Sequence, residues 1–171
     1  KTQIDYDERG NPIKITDALG NTTTMTYDQR GLLTSITDSK ANQTLFSYDQ
    51  VTGNLIRTTD PLGNITTLTY DAAGNVISSE DSLGRITRFE YDSMNRLTRA
   101  IDAHGNSTRY EYDQAGNLIK VTDANSHQTT FGYDELNQLT RVINPLAKEK
   151  TFTYDLNRNL VLTTDANGNT K

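Results

Sequence analysis

The pair Tyr-Asp returns at Tyr6, Tyr27, Tyr48, Tyr70, Tyr91, Tyr112, Tyr133 and Tyr154, in steps of 21 residues apart from one of 22 between Tyr48 and Tyr70. Eight copies at a fixed period mean that one small unit is stacked along residues 1–171 as a single array, which narrows the fold more than composition can. The aspartates of the pair are Asp7, Asp28, Asp49, Asp71, Asp92, Asp113, Asp134 and Asp155. A second Asx lies about halfway between them, at Asp17, Asp38, Asp60, Asp81, Asp102, Asp123, Asn144 and Asp165, so every unit has two similar halves.

Turn chemistry punctuates both halves. A type I turn favours Asp or Asn at its first position, where the side chain accepts a backbone N–H, Pro at the second and Gly at the fourth. Ten of the eleven glycines sit in this Asx-turn slot: Gly10, Gly20, Gly31, Gly53, Gly63, Gly74, Gly84, Gly105, Gly116 and Gly168. Asn95 and Asn137 fill it elsewhere, and Asn tolerates positive φ. Pro61 and Pro145 directly follow the turn Asx. The extra residue of the longer unit falls in DQVTGN, residues 49–54, and lengthens a turn without touching a strand.

Between turns lie segments of six or seven residues rich in Thr, Ile, Val, Phe and Tyr, with no helical spacing. Each unit therefore predicts two short antiparallel strands, about sixteen in all. The runner-up is a parallel β-solenoid with one rung per unit. If like residues stack from unit to unit, the odd period requires one tight and one bulged turn. Asp7 then pairs with Gly10, Asp17 with Asn21, and Gly20 and its equivalents are the bulge residues.

This register sorts the side chains. One face collects the Tyr row, the large apolar row of Met25, Phe46, Leu68, Phe89, Tyr110, Phe131 and Phe152, and the Thr row from Thr23 to Thr129. It also receives Ile13, Ile56, Ile77, Ile119 and Val161, with Ile15, Ile36, Val121 and Val142. Lys14, Arg57, Arg99, Lys120 and Arg141 point the other way beside Glu90 and Glu111. A row from Leu33 through Leu55, Leu97, Leu118 and Leu139 to Leu160 is expected on that wet face. Sixteen strands span about 75 Å along the hydrogen-bonding direction and about 20 Å across. Native twist curls so long a ribbon, and a lumen at this strand count is too wide for side chains to fill.

Composition removes several function classes. Only 33% of the chain is hydrophobic, and a net charge of -5 spread along it offers no basic surface of the kind nucleic acid attracts. The absence of Cys removes disulfides and Cys-ligated zinc. No apolar run reaches the roughly 20 residues of a membrane span.

The phrases YDQAGNLIKVTD (112–123), TDPLGNITTLTYDAAGN (59–75) and YDSMNRLTRAID (91–102) closely resemble the YD repeats of the Rhs family, and the resemblance covers the entire chain. It implies a spiralling β-sheet shell, as in bacterial Rhs polymorphic toxins and the cocoons of insecticidal toxin complexes, where repeats enclose a toxic C-terminal domain. In animal teneurins the related barrel serves adhesion. The family's C-terminal core, with its autoproteolytic aspartates, has no counterpart here, and DPLG at Asp60–Gly63 is an ordinary copy of the turn. Both ends stand in nearly the same phase of the repeat without an atypical copy, so the chain is expected to be excised from a longer, secreted or cell-surface parent.

Sharper readings of single residues lose to plainer ones. The turn aspartates suggest calcium, and DANGN (165–169) superficially matches a calcium loop, but the EF-hand ligand order and its late Glu are missing. His104 and His127 lie in equivalent turns, with no partners gathered for a triad or a zinc site. The Tyr row could stack sugar rings, while packing within a wall is the plainer use. The expectation is therefore a wall without catalytic, cofactor or metal site, whose partners are the parent's own cargo and, through open sheet edges, other copies. A cell-surface adhesion or carbohydrate-binding module is the alternative. The positions that define the array are the eight Tyr-Asp pairs with Gly10, Gly20, Gly63, Gly84, Gly105 and Gly116.

Overall fold

The computed structural model describes the whole chain, Lys1–Lys171. Every element is a β-strand and the chain divides into two compact units, Lys1–Thr87 and Arg88–Lys171. The first contains β1 (Gln3–Tyr6), β2 (Pro12–Thr16), β3 (Thr22–Tyr27), β4 (Leu33–Thr37), β5 (Gln43–Tyr48), β6 (Leu55–Thr59), β7 (Ile65–Tyr70) and β8 (Val76–Glu80). Most of β9 (Ile86–Tyr91) belongs to the second, with β10 (Leu97–Ile101), β11 (Ser107–Tyr112), β12 (Leu118–Thr122), β13 (Gln128–Tyr133), β14 (Leu139–Ile143), β15 (Glu149–Tyr154) and β16 (Leu160–Thr164). Within each unit every strand pairs antiparallel with the next in sequence. The two strands per repeat are those the turn spacing predicts, and the antiparallel ladders dispose of the parallel solenoid.

The register differs from straight stacking. Lys14 stands opposite Thr24, and Thr24 opposite Thr37, whereas the repeat equivalent of Lys14 is Ser35, two residues away. In the second unit Arg99 opposes Arg109, and Arg109 opposes Thr122, while the equivalent of Arg99 is Lys120. Like residues therefore step by two positions per repeat. The cause lies in the turns. Asp7 N–H donates to the Asn11 carbonyl at 2.9 Å and Asp17 N–H to the Asn21 carbonyl at 2.9 Å, so both turns are the same loop and Asp7 does not pair with Gly10. The odd period is absorbed by an extra residue inside the strand that follows each Tyr-Asp turn: Tyr27 opposes Leu33 and Thr26 opposes Ser35, leaving Thr34 as the bulge.

That bulge exchanges two rows between faces. Thr34 brings its hydroxyl within 2.8 Å of that of Thr26, and Ser35 does so at 2.7 Å, so both bulge-side residues share the Thr26 face. At the equivalent place in the second unit, a side-chain carbon added at Gly132 would meet Arg141 Cβ at 3.3 Å and Thr140 Oγ1 at 4.0 Å. The Leu33 row thus lies across from the tyrosines instead of on the wet face. The bulge row, expected beside the tyrosines, lies outside, with Ile13, Ile56 and Ile77 exposed at 37%, 38% and 39%. The other rows fall as the alternation predicts. Met25 and Tyr27 are half-buried while Thr24 and Thr26 are exposed, Met25 opposes Ile36, and Arg57, Arg88 and Glu90 face solvent.

No apolar side chain is fully buried, and Ser35, at 6% exposure, is the one buried residue. A single layer explains this, because each large side chain is shielded by its row neighbours and by nothing above them. Cohesion must come from nearest-neighbour contacts and hydrogen bonds, as in other repeat folds.

Candidate functional site

Two devices recur along the chain. The first is the turn carboxylate. Asp7 Oδ1 accepts the backbone N–H groups of Arg9 (2.9 Å) and Asn11 (2.8 Å), and Oδ2 accepts the side-chain amide of Asn11 at 2.9 Å. Asp17 with Asn21, Asp38 with Asn42, Asp60 with Asn64, Asp71 with Asn75 and Asp102 with Asn106 repeat this arrangement. The Asn four residues after the Asp is as regular in the sequence as the Gly before it, and it is the functional partner that turn rules alone overlook. At some turns without that Asn another donor stands in: Arg96 bonds Asp92 at 2.7 Å, and His127 Nδ1 lies 3.0 Å from Asp123. One residue of every turn has positive φ, the fourth except in the longer Asp49 turn, where it is Gly53: the glycines run from 73° at Gly84 to 93° at Gly116, and Ala41 at 64° and Arg158 at 67° are among the non-glycine occupants.

Where a side-chain donor joins the backbone N–H groups, these bonds hold the turn carboxyl below the usual Asp range. For Asp7, Asp17, Asp38 and Asp60 the Asn side-chain amide is the largest cause and its backbone N–H the next. Asp165, in the stretch resembling a calcium loop, follows the same rule, with Oδ1 taken by Asn167 and Asn169 N–H groups and Oδ2 by the Asn169 amide, each at 2.9 Å. Both oxygens of such a carboxylate are already committed to donors. No group of three or more His, Asp or Glu side chains is placed to hold a metal ion.

The second device is a tyrosine ladder. Tyr27, Tyr48 and Tyr70 donate their hydroxyls to the carbonyls of Pro12 (2.9 Å), Leu33 (2.9 Å) and Leu55 (2.6 Å). In the second unit Tyr112, Tyr133 and Tyr154 do the same to Leu97 (2.9 Å), Leu118 (3.0 Å) and Leu139 (2.9 Å). Every bond reaches back fifteen residues and ties one repeat to its predecessor. Burial pushes the phenols of Tyr48, Tyr112 and Tyr133 up from their ordinary value. Arg96 stacks 4.7 Å from the centre of the Tyr112 ring and bonds the Asp113 carbonyl at 3.1 Å, joining a turn to the next ladder rung.

The arrangement is therefore distributed, with every Tyr-Asp pair and turn glycine recurring as a repeated part, and His104 and His127 lying exposed on separate turns. A single-layer antiparallel sheet of two-stranded repeats, tied by Asx turns and a tyrosine ladder, defines a β-sheet repeat module. The teneurin YD-shell family model matches residues 61–171 and the RHS repeat model matches 6–43 and 30–65, so the chain belongs to the YD-repeat family. No curated protein has a sequence that matches it. Among solved structures, the crystal structure of TcdB2-TccC3 with Cdc42 is similar with a TM-score of 0.76 and 21% identity, covering 95% of this chain and 11% of that one. TcdB2-TccC3 alone gives 0.75 and 20%, covering 98% and 12%. The Tc holotoxin pore of Photorhabdus luminescens gives 0.53 and 17%, covering 99% and 15%. The chain thus spans about an eighth of the length of the first two structures it matches. No helix is long and apolar enough to cross a membrane.

Proposed function

We propose that the chain is a wall segment of a larger β-sheet shell, which encloses the toxic C-terminal cargo of its own secreted or cell-surface parent. The observation that carries this reading is the absence of a core: every large apolar side chain of the Tyr face remains partly accessible, although the backbone and turns are fully organised. A sheet of this kind has a definite inside only when it is continued and bent around something. The array of eight Tyr-Asp repeats is a stretch of that continuous wall, and curling belongs to the complete array. The role needs no catalytic group. It uses Tyr6, Tyr27, Tyr48, Tyr70, Tyr91, Tyr112, Tyr133 and Tyr154 as rung positions and the turn aspartates as stays. A carbohydrate-binding surface is less well supported, because the ladder tyrosines have committed their hydroxyls to backbone carbonyls.

Limited proteolysis of the parent tests the proposal. Its C-terminal segment should resist cleavage while the shell is intact and become sensitive when half of the repeats are deleted. Equal sensitivity in both would sink the container reading.

A further inference from the structure

On the wet face, the residue that opposes the Lys14 row across the second turn of each repeat is ordinarily uncharged. Lys14 faces Thr24, Ser35 faces Leu45, Arg57 faces Thr67, Lys120 faces Thr130 and Arg141 faces Thr151. Arg99 alone in this group faces another cation, Arg109. Directly opposed like charges destabilise a strand pair, and the neighbouring repeats show that the fold does not require them here. Local acids do not resolve the conflict. Arg99 reaches Glu90 only at 3.4 Å, longer than a good charge-assisted bond, and its Nε is enclosed without a hydrogen-bond partner. Glu111, on the Arg109 strand, is engaged by Lys120 at 2.7 Å. Arg109 is exposed and makes no ion pair, as is Arg88, which the register places diagonally from Arg99. Ser107 precedes Arg109 by two residues on the same face, and Thr122 stands directly opposite it.

We propose that Arg99 and Arg109 form a binding site for a divalent tetrahedral oxyanion, a phosphate or sulfate group, with the Ser107 and Thr122 hydroxyls as further donors. Guanidinium forks match such oxygens two at a time, and a doubly charged anion offsets both cations where a single carboxylate offsets one. The group can be a free ion or an ester carried by a larger molecule.

The intact chain is titrated at low ionic strength, where screening is weak, with inorganic phosphate, sulfate and chloride at matched ionic strength, read by calorimetry and thermal unfolding. Phosphate and sulfate should bind saturably and raise Tm, and chloride should not. Arg109→Thr recreates the cation–Thr pairing of the other repeats, so it should fold. It should lower phosphate affinity about tenfold or more, the loss of one charged donor, and raise Tm in the absence of ligand. Phosphate acting no better than chloride, or Arg109→Thr binding undiminished, would overturn the site. Phosphoserine or glucose 6-sulfate binding more tightly than the inorganic ions would identify an ester as the ligand, and equal binding would identify the free ion.

Discussion

The hydroxyl of Tyr133 donates to the carbonyl of Leu118 at 3.0 Å, across a repeat boundary and from a half-buried ring. Removing that hydroxyl leaves the ring's packing in place and deprives one carbonyl of its partner. Tyr133→Phe should therefore cost about 1 kcal/mol, the net worth of an ordinary hydrogen bond, as measured by urea unfolding. An unchanged midpoint would show that the rung adds nothing to cohesion between repeats.

Ala41 occupies at φ 64° the slot that glycine fills at Gly20 and Gly63. An L side chain in the left-handed region costs about 1–2 kcal/mol, while glycine forfeits about 0.5–1 kcal/mol in chain entropy. Ala41→Gly should accordingly stabilise by up to about 1 kcal/mol, and Gly63→Ala should destabilise by a similar amount. Thermal unfolding of the two variants checks the opposite signs.

The turn carboxyls give the fold an acid limit. Asp17, Asp60 and Asp71 have folded pKa values below the ordinary 3.8, first through the Asn amide and then through backbone N–H groups. Unfolding at low pH therefore takes up protons. The stabilisation is present in full above the unfolded carboxyl range and is lost as pH falls through the depressed folded values. Tm should be nearly flat from pH 7 to about 5 and fall steeply below about 4, the range in which unfolded carboxyls titrate. Asn144 already serves as a turn Asx without a charge. A chain carrying Asn at Asp17, Asp38 and Asp60 should lose part of that acid dependence.

The exchange of rows at the bulge makes a paired prediction. Leu118 lies on the Tyr face and Ile119 at the bulge outside it, although the two are adjacent. Leu118→Asp places a charge among the ladder residues and should destabilise by about 1–3 kcal/mol, whereas Ile119→Thr, which copies Thr34 and Thr140, should stay within about 0.5 kcal/mol. Reversed magnitudes in chemical denaturation would restore the simple alternation of faces.

Strand number, direction, turn positions and the Tyr and Phe rows were legible because each follows from a local rule: strand chemistry between Asx-x-x-Gly turns and a side-chain period of two. The bulge was not. Thr34 and Ile13 look like ordinary strand residues, and an inserted residue is visible only in which partners face each other. The slip is local: it moves the Leu row, between turn and bulge, and the bulge row to the opposite faces, and leaves the Lys14 and Ile15 rows beyond the bulge where the alternation puts them. The Asn11 and Asn21 clamps were readable in principle. A donor fixed four residues after a carboxylate has a geometric reason to recur, since it reaches the oxygen that the turn's backbone N–H groups leave free.

The two-residue step from Lys14 to Thr37, past Ser35, amounts to one residue of stagger per strand. Eight parallel strands with a shear of eight have that same ratio, and their strands lean about 36° from the barrel axis. Here the lean is written into each repeat, so every added repeat lifts its turns by about 6.6 Å along the strand direction. In barrels a stagger of this size is what lets tilted strands close, so the step is no obstacle to closure. Insertion or loss of a single 21-residue unit therefore shifts every later turn along the strand direction while leaving the ladders inside the remaining units as they are.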